Sequence, residues 1–216
     1  MAEHLTAVDW RGAYHRVTAG YAQEFERNRR LHGDRIQCRK GCDDCCHQLF
    51  QISELEAAEV SRAVQALPPA TRLRLRQRTQ HYLEARAALA AARGIVESWG
   101  TLAPPGSRLP CPALEQGACL IYDHRPLICR KFGIPLWNPD RPGRVYACQL
   151  NFRDGEEIHD ANLIQIQTAL HQEWKTLQAR YNDAGGYRHP EPLTVAWAIL
   201  ADCAAWFPPA ASTATR

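Results

Sequence analysis

The stretch Cys38-Arg-Lys-Gly-Cys42-Asp-Asp-Cys45-Cys46-His47 sets four cysteines within nine residues. A second stretch answers it: Cys111-Pro-Ala-Leu, then Cys119-Leu-Ile-Tyr, then Arg125-Pro126-Leu-Ile-Cys129-Arg130, with Cys148 after a further gap. The two read as halves of one metal-binding core. The N-terminus, Met-Ala-Glu-His-Leu, lacks a basic patch followed by an apolar run, so no secretory signal is expected and the chain is placed in the cytoplasm. In that reducing compartment clustered cysteines more often bind metal or do chemistry than form disulfides. The total of nine cysteines is odd, which also argues against a complete disulfide set.

Soft thiolates suit zinc, copper(I) and iron–sulfur clusters. Ligands close in sequence lower the entropy cost of closing such a site. The eight clustered cysteines, Cys38, Cys42, Cys45, Cys46, Cys111, Cys119, Cys129 and Cys148, would complete two four-thiolate sites or one larger cluster. Cys45 and Cys46 are neighbours, whose side chains diverge on either regular backbone, so the pair need not serve one ion. Cys203 lies in an apolar segment far from both sets and reads as a packed thiol. His47 and His124 are nitrogen candidates beside the sulfurs, read first as supporting or surface groups.

Cations gather around both sets: Arg39, Lys40, Arg125, Arg130 and Lys131. Positive charge there favours ligand deprotonation. Arg125 and Arg130 are the ones expected to act on the site. They could support the bound centre or hold the anionic group of a small substrate through their planar forks. Asp43, Asp44 and His47 could move protons near a metal. A protein partner is the other occupant to consider for such a site.

The remainder reads as helices. Trp10, Tyr14, Val17, Tyr21 and Phe25 form one apolar stripe of a helix over about 6–31, closed by Gly33. Ser53-Glu-Leu-Glu56 is a capping box opening a helix to Leu67, stopped by Pro68-Pro69. A further helix is expected over 70–93, its Arg72, Arg74, Arg76 and Arg78 forming a solvated face. Residues 94–117 carry prolines that prevent long regular structure. Pro126 suits position N1 of a short helix presenting Cys129, with Gly133 at its C′ position. Asp154-Gly-Glu-Glu157 reads as a second capping box, opening a helix over 155–182 with Leu163, Ile166, Leu170, Trp174, Leu177 and Tyr181 inward. A last, mostly buried helix is expected over 192–206, then a frayed tail from 208 to 216. The fold class is therefore mainly α, a helical bundle with an irregular cysteine-rich insert over about 35–152.

At 216 residues the chain fits one domain with a real core. A formal charge of +3 is too weak to imply nucleic acid or an anionic membrane. No apolar run is long enough to span a bilayer.

The spacing C-x3-C-x2-C of Cys38, Cys42 and Cys45 resembles the iron–sulfur loop of radical S-adenosylmethionine enzymes. Those enzymes carry it on a barrel of alternating strands and helices, absent from this pattern. The joint pattern is a closer match elsewhere. Cys38-x3-Cys42-x2-Cys45-Cys46 followed by Cys111-Pro-Ala-Leu-x4-Cys119-x-Ile-Tyr122-x2-Arg125-Pro126-x2-Cys129-Arg130 resembles the bacterial cysteine-cluster family known as YkgJ-like or CxxCxxCC proteins. The resemblance covers about Cys38 to Cys148, and its first gap holds three residues where the family's short name implies two. It implies zinc or iron held through the cysteines. It also brings in an alternative, an iron–sulfur-dependent enzyme of oxidoreductase or protein methyltransferase type, because flagellin lysine methylases share the cysteine pattern. No Gly-rich phosphate loop and no Ser-His-Asp arrangement points to another chemistry.

Overall fold

Asp9 opens the first helix by accepting a hydrogen bond from the Gly12 amide at 2.8 Å. The computed structural model describes residues 8–39, 41–93, 95–97, 100–102, 106–185, 189 and 193–206. Helix α1 spans Trp10–His32 and ends at Gly33, whose φ of 53° is the left-handed backbone expected of a terminating glycine. Trp10, Tyr14, Val17 and Tyr21 are buried along one face, as their spacing requires, and Phe25 is half-buried. A polar face is buried too. Glu24 and Asn28 are inside, and Arg27 bridges Glu24 at 2.6 Å to Asp160 at 2.5 Å.

Helix α2, Glu54–Ala66, carries both hydrogen bonds of its capping box. Helix α3 spans Pro69–Arg93. Arg74 and Arg76 are exposed, as a solvated face requires, but the arginines of this helix also hold neighbouring carbonyls. Arg72 donates to the Gln65 carbonyl at 2.8 Å, and Arg76 reaches the Ile199 and Leu200 carbonyls at 3.1 and 2.9 Å. Helix ends leave carbonyls without intrahelical partners, and a long guanidinium satisfies them from a neighbouring helix.

The expected loop after α3 contains two short antiparallel hairpins, β1 (Ile95–Glu97) with β2 (Gly100–Leu102), and β3 (Leu114–Glu115) with β4 (Ala118–Cys119). Helix α4, Leu127–Lys131, follows. Then β5 (Leu136–Trp137) pairs with β6 (Val145–Tyr146).

Helix α5 spans Leu163–Gly185, eight residues later than the sequence pattern placed its start. Asp154-Gly155-Glu156-Glu157 does not cap it. Gly155 takes φ +79° at the end of a 3-10 turn instead. Asp160 organises the true start, accepting from the Asn162 amide at 3.0 Å while Arg27 holds its carboxylate. Helix α6 is also shorter than expected, Val195–Leu200 followed by a 3-10 turn, Ala204–Trp206. Ser61 takes the Ala198 and Ala201 carbonyls, so the helix does not need to continue to satisfy them. The tail from 208 lies outside the described residues.

The chain is mainly α with a cysteine-bearing insert. Helices α1 and α5 pack together, and α4 packs on α1, while α2 and α3 pack against α6. Two apolar cores result. One joins Tyr14, Leu55, Leu127 and Tyr181. The other joins Val60, Leu75, Ala113, Ile121 and Ile199, with Cys203 wholly buried in it as the packed thiol expected. Among the described residues no helix is long and apolar enough to cross a membrane.

Glu59 ties these layers together. Its buried carboxylate accepts from Arg11 at 3.1 Å, His15 at 3.1 Å and His124 at 2.7 Å. Burial pushes its pKa up, but the hydrogen bonds from Arg11 and His124 outweigh it and hold the group below the ordinary carboxylate value. A depressed carboxylate stabilises the fold fully above the unfolded pKa of about 4.3, and that contribution is lost as pH falls through the folded value. Glu59→Gln is therefore expected to flatten the acid limb of a melting-temperature profile below pH about 4.3. The profile is measured on chelator-treated protein, so that metal loss does not contribute. Parallel limbs for variant and parent would contradict the assignment.

Candidate functional site

All eight clustered cysteines line one cavity of about 650 Å³. Cys203 does not. The two halves are joined directly through the backbone. Leu109 donates to the His47 carbonyl at 3.1 Å and Cys111 to the Cys46 carbonyl at 2.6 Å. In the first half, Gly41 turns the chain with φ +91°. A 3-10 turn, Asp44–His47, then carries Cys45 and Cys46. In the second half, Gln116 and Gly117 both take positive φ, at 50° and 75°, between paired Glu115 and Ala118. That is the two-residue type I′ hairpin, and it returns the chain at Cys119. Helix α4 presents Cys129.

Four residues that sequence reasoning did not assign to the site hold these segments. In the sequence Glu56 shows only as half of a capping box. Its Oε2 does accept from the Ser53 amide at 2.7 Å, but its Oε1 accepts from the Leu127 amide, also at 2.7 Å. One carboxylate thus caps α2 and the start of α4. Buried Asn151 donates to the Gly133 carbonyl at 2.6 Å, accepts from the Gln37 amide at 2.8 Å and hydrogen-bonds Cys38. Arg78 of α3 donates to the Pro112 carbonyl at 2.7 Å and to Glu115 at 3.1 Å, anchoring the segment after Cys111. Gly133 does not take the left-handed C′ conformation expected of it. It is glycine because Cys38 packs on it, and a Cβ there would lie 2.1 Å from the Cys38 Sγ. Pro126 sits at the N-cap of α4, one position before the expected N1.

Burial governs the thiols. It pushes Cys38 and Cys111 up to about 11, and raises Cys119, Cys129 and Cys148 as well. Cys45 and Cys46 do not diverge as adjacent residues on a regular helix or strand would. Their side chains hydrogen-bond each other, which lowers Cys45 to about 7 and raises Cys46. Arg125 contributes to the lowering of Cys45. Cys148 Sγ donates to Asp44 Oδ2 at 3.8 Å.

The other candidates divide. Arg125 and Arg130 both line the cavity. The Arg130 guanidinium is held by the Arg125 carbonyl at 2.9 Å and by the Asp123 carbonyl. Asp43 and Asp44 line the cavity too, and Arg108 pairs with Asp44 at 2.8 Å. His47 faces a neighbouring polar depression, its Nδ1 3.2 Å from the Asp43 carbonyl. His124 turns to Glu59. Lys131 lies over the Tyr21 ring, and Lys40 falls outside the described residues. The donor set around the cavity is therefore sulfur with three carboxylates, Glu26, Asp43 and Asp44, a set that fits zinc or iron. Among the described residues no three His, Cys, Asp or Glu side chains already converge on a single ion position.

Residues 37–141 match the model of the CxxCxxCC family, described as a "putative zinc- or iron-chelating domain". The matched segment covers just under half of the chain. It holds seven of the eight cavity cysteines, and Cys148 lies beyond its end. No curated protein and no solved structure matches the chain significantly. The matched segment also includes Glu56, Arg78 and Gly133, whereas Asn151 lies outside it.

Two sites, with one control substitution, test this architecture. Gly133→Ala is expected to cost about 1–3 kcal/mol through overpacking against Cys38. Gly143→Ala, with nothing within 4 Å of the added carbon, should be near neutral. Glu56→Ala should cost about 1–3 kcal/mol for each amide left without an acceptor. Urea unfolding measures both, and equal stability for Gly133→Ala and Gly143→Ala would refute the packing argument.

Proposed function

We propose that the protein binds metal through Cys38, Cys42, Cys45, Cys46, Cys111, Cys119, Cys129 and Cys148, holding zinc or an iron–sulfur centre. The observation that carries this reading is that eight cysteines from two distant stretches line one cavity while the ninth is packed elsewhere. The family description supports the coarser statement, zinc or iron chelation. Zinc would supply a redox-inert structural centre, and an iron–sulfur cluster would add electron transfer. The chain's own task is to bring the sulfurs together and let them lose their protons. Glu56 sets α4 and hence Cys129, Asn151 sets Cys38, and the paired Cys45 and Cys46 thiols start deprotonation at Cys45. Because burial keeps most of the other thiols protonated, metal uptake must release protons. The alternative, an iron–sulfur-dependent enzyme, is favoured by the spare volume of the same cavity.

Elemental analysis of protein purified with and without air tests the proposal. At least one ion per chain is expected, retained in Cys203→Ser and lost in a Cys45→Ser, Cys129→Ser double variant. Iron with acid-labile sulfide selects the cluster, and zinc in colourless protein selects the structural centre. Substoichiometric metal in both preparations, with disulfides mapped among the eight cysteines, would overturn it.

Chelation provides a second test. Helix α1 lines the cavity but α5 does not, so amide exchange in α5 should remain slow after metal removal. Exchange across residues 106–148 should accelerate. Cooperative loss of the whole fold would contradict the separation.

A further inference from the structure

The cavity is larger than a metal centre requires. Its volume of about 650 Å³ compares with roughly 30 Å³ for the share of one water molecule in the liquid. It falls within the ~300–1,000 Å³ of small-molecule pockets. The sulfurs occupy only part of the wall. The remainder is strongly apolar and comes from several elements: Phe25 of α1, Tyr82 of α3 and Val195 of α6, with Phe50 and Phe132. Those two rings meet edge to face, with centroids 5.2 Å apart.

Among the described residues, Arg125 on this wall has no anionic partner. The Arg125 guanidinium carbon lies 3.6 Å from the centre of the Tyr122 ring, and its Nε donates to the Tyr122 carbonyl. Among the described residues its two Nη groups have no hydrogen-bond partner. Most neighbouring charges have side-chain or carbonyl partners. Arg29 pairs with Glu26 at 3.5 Å, Asp44 with Arg108, and Arg39 with Gln37 at 3.1 Å. Arg130 is held by carbonyls. Asp43 lies where the cavity meets the polar depression around His47, on the side of Cys42. The guanidinium is thus held with two donors open, the geometry that receives an oxyanion through paired hydrogen bonds.

We propose that the cavity binds a small organic oxyanion with an apolar body, a carboxylate or phosphate monoester, beside the thiol centre. The head group meets the Arg125 fork and the body lies against Phe50, Tyr82 and Val195. This deepens the metal-binding reading by naming the ligand class of the same cavity. Its test reads ligand and metal separately.

The experiment is calorimetric titration of the purified, metal-analysed protein with butyrate, hexanoate and octanoate, and with octyl phosphate and octanol. Affinity is expected to rise about four-fold for each added methylene. Octanol should bind at least about ten-fold more weakly than the preferred anion. The stronger of octanoate and octyl phosphate identifies the head group. Arg125→Ala should remove the anion's advantage over octanol and leave the dependence on chain length. Arg125→Lys, which keeps charge without the fork, should restore only part of it. Tyr82→Ala should flatten the chain-length dependence. Absence of chain-length dependence in the parent protein, or unchanged anion affinity in Arg125→Ala, overturns the proposal. Metal content is recorded for every sample. Binding of octanoate to protein without metal would sink the metal reading alone, and full metal with no ligand binding would sink this one alone.

Discussion

Glu56 is a buried carboxylate that accepts three hydrogen bonds, from the Ser53 amide and hydroxyl and from the Leu127 amide. Burial raises its pKa, and the backbone donors oppose that rise. A charge removed from water costs several kcal/mol unless its lone pairs are satisfied. Here they are satisfied by the starts of two helices at once. The short helix α4 has only five residues, too few to be stable alone. Its position comes from Glu56 at one end and Leu127 in the apolar core at its start. Cys129 is placed through that helix, so the geometry of the second cysteine set depends on a group in the first capping box.

The cavity borders one apolar core directly, through Ala113 and Ile121. Ala113 and Ile121 root the second cysteine set in one core, and Leu127 roots it in the other. The first set needs no core of its own. It is held by backbone bonds from Cys46 and His47 to the second set, and by Asn151 and Gly133 around Cys38. Glu59 fixes the 3-10 turn at His124 to α1 and α2. Irregular backbone can carry a thiol-rich site when its ends are tied this closely. What the helices supply is the position of those ends.

Much of this was legible in the sequence because it is local. The aromatic stripe of α1, the Ser53–Glu56 box and the cysteine spacing all act within a few residues. The errors arose where a distant partner decided the outcome. Asp154 to Glu157 has the composition of a cap, yet Asp160, held by Arg27 from α1, starts the helix. The arginines of α3 look solvent-facing by charge, yet Arg76 and Arg78 also satisfy carbonyls more than thirty residues away. Gly133 reads as a helix terminator, while its actual constraint is a sulfur from residue 38. Glu56, Asn151 and Glu59 carry no local signal for their second partners at all.

The account stands or falls on whether these sulfurs bind a metal. X-ray absorption at the metal edge of the protein as purified measures this directly. The account predicts a first shell dominated by sulfur, near 2.3 Å if the metal is zinc, and loss of that shell in the Cys45→Ser, Cys129→Ser double variant. A first shell of nitrogen and oxygen only, or a sulfur shell unchanged in that variant, would contradict it.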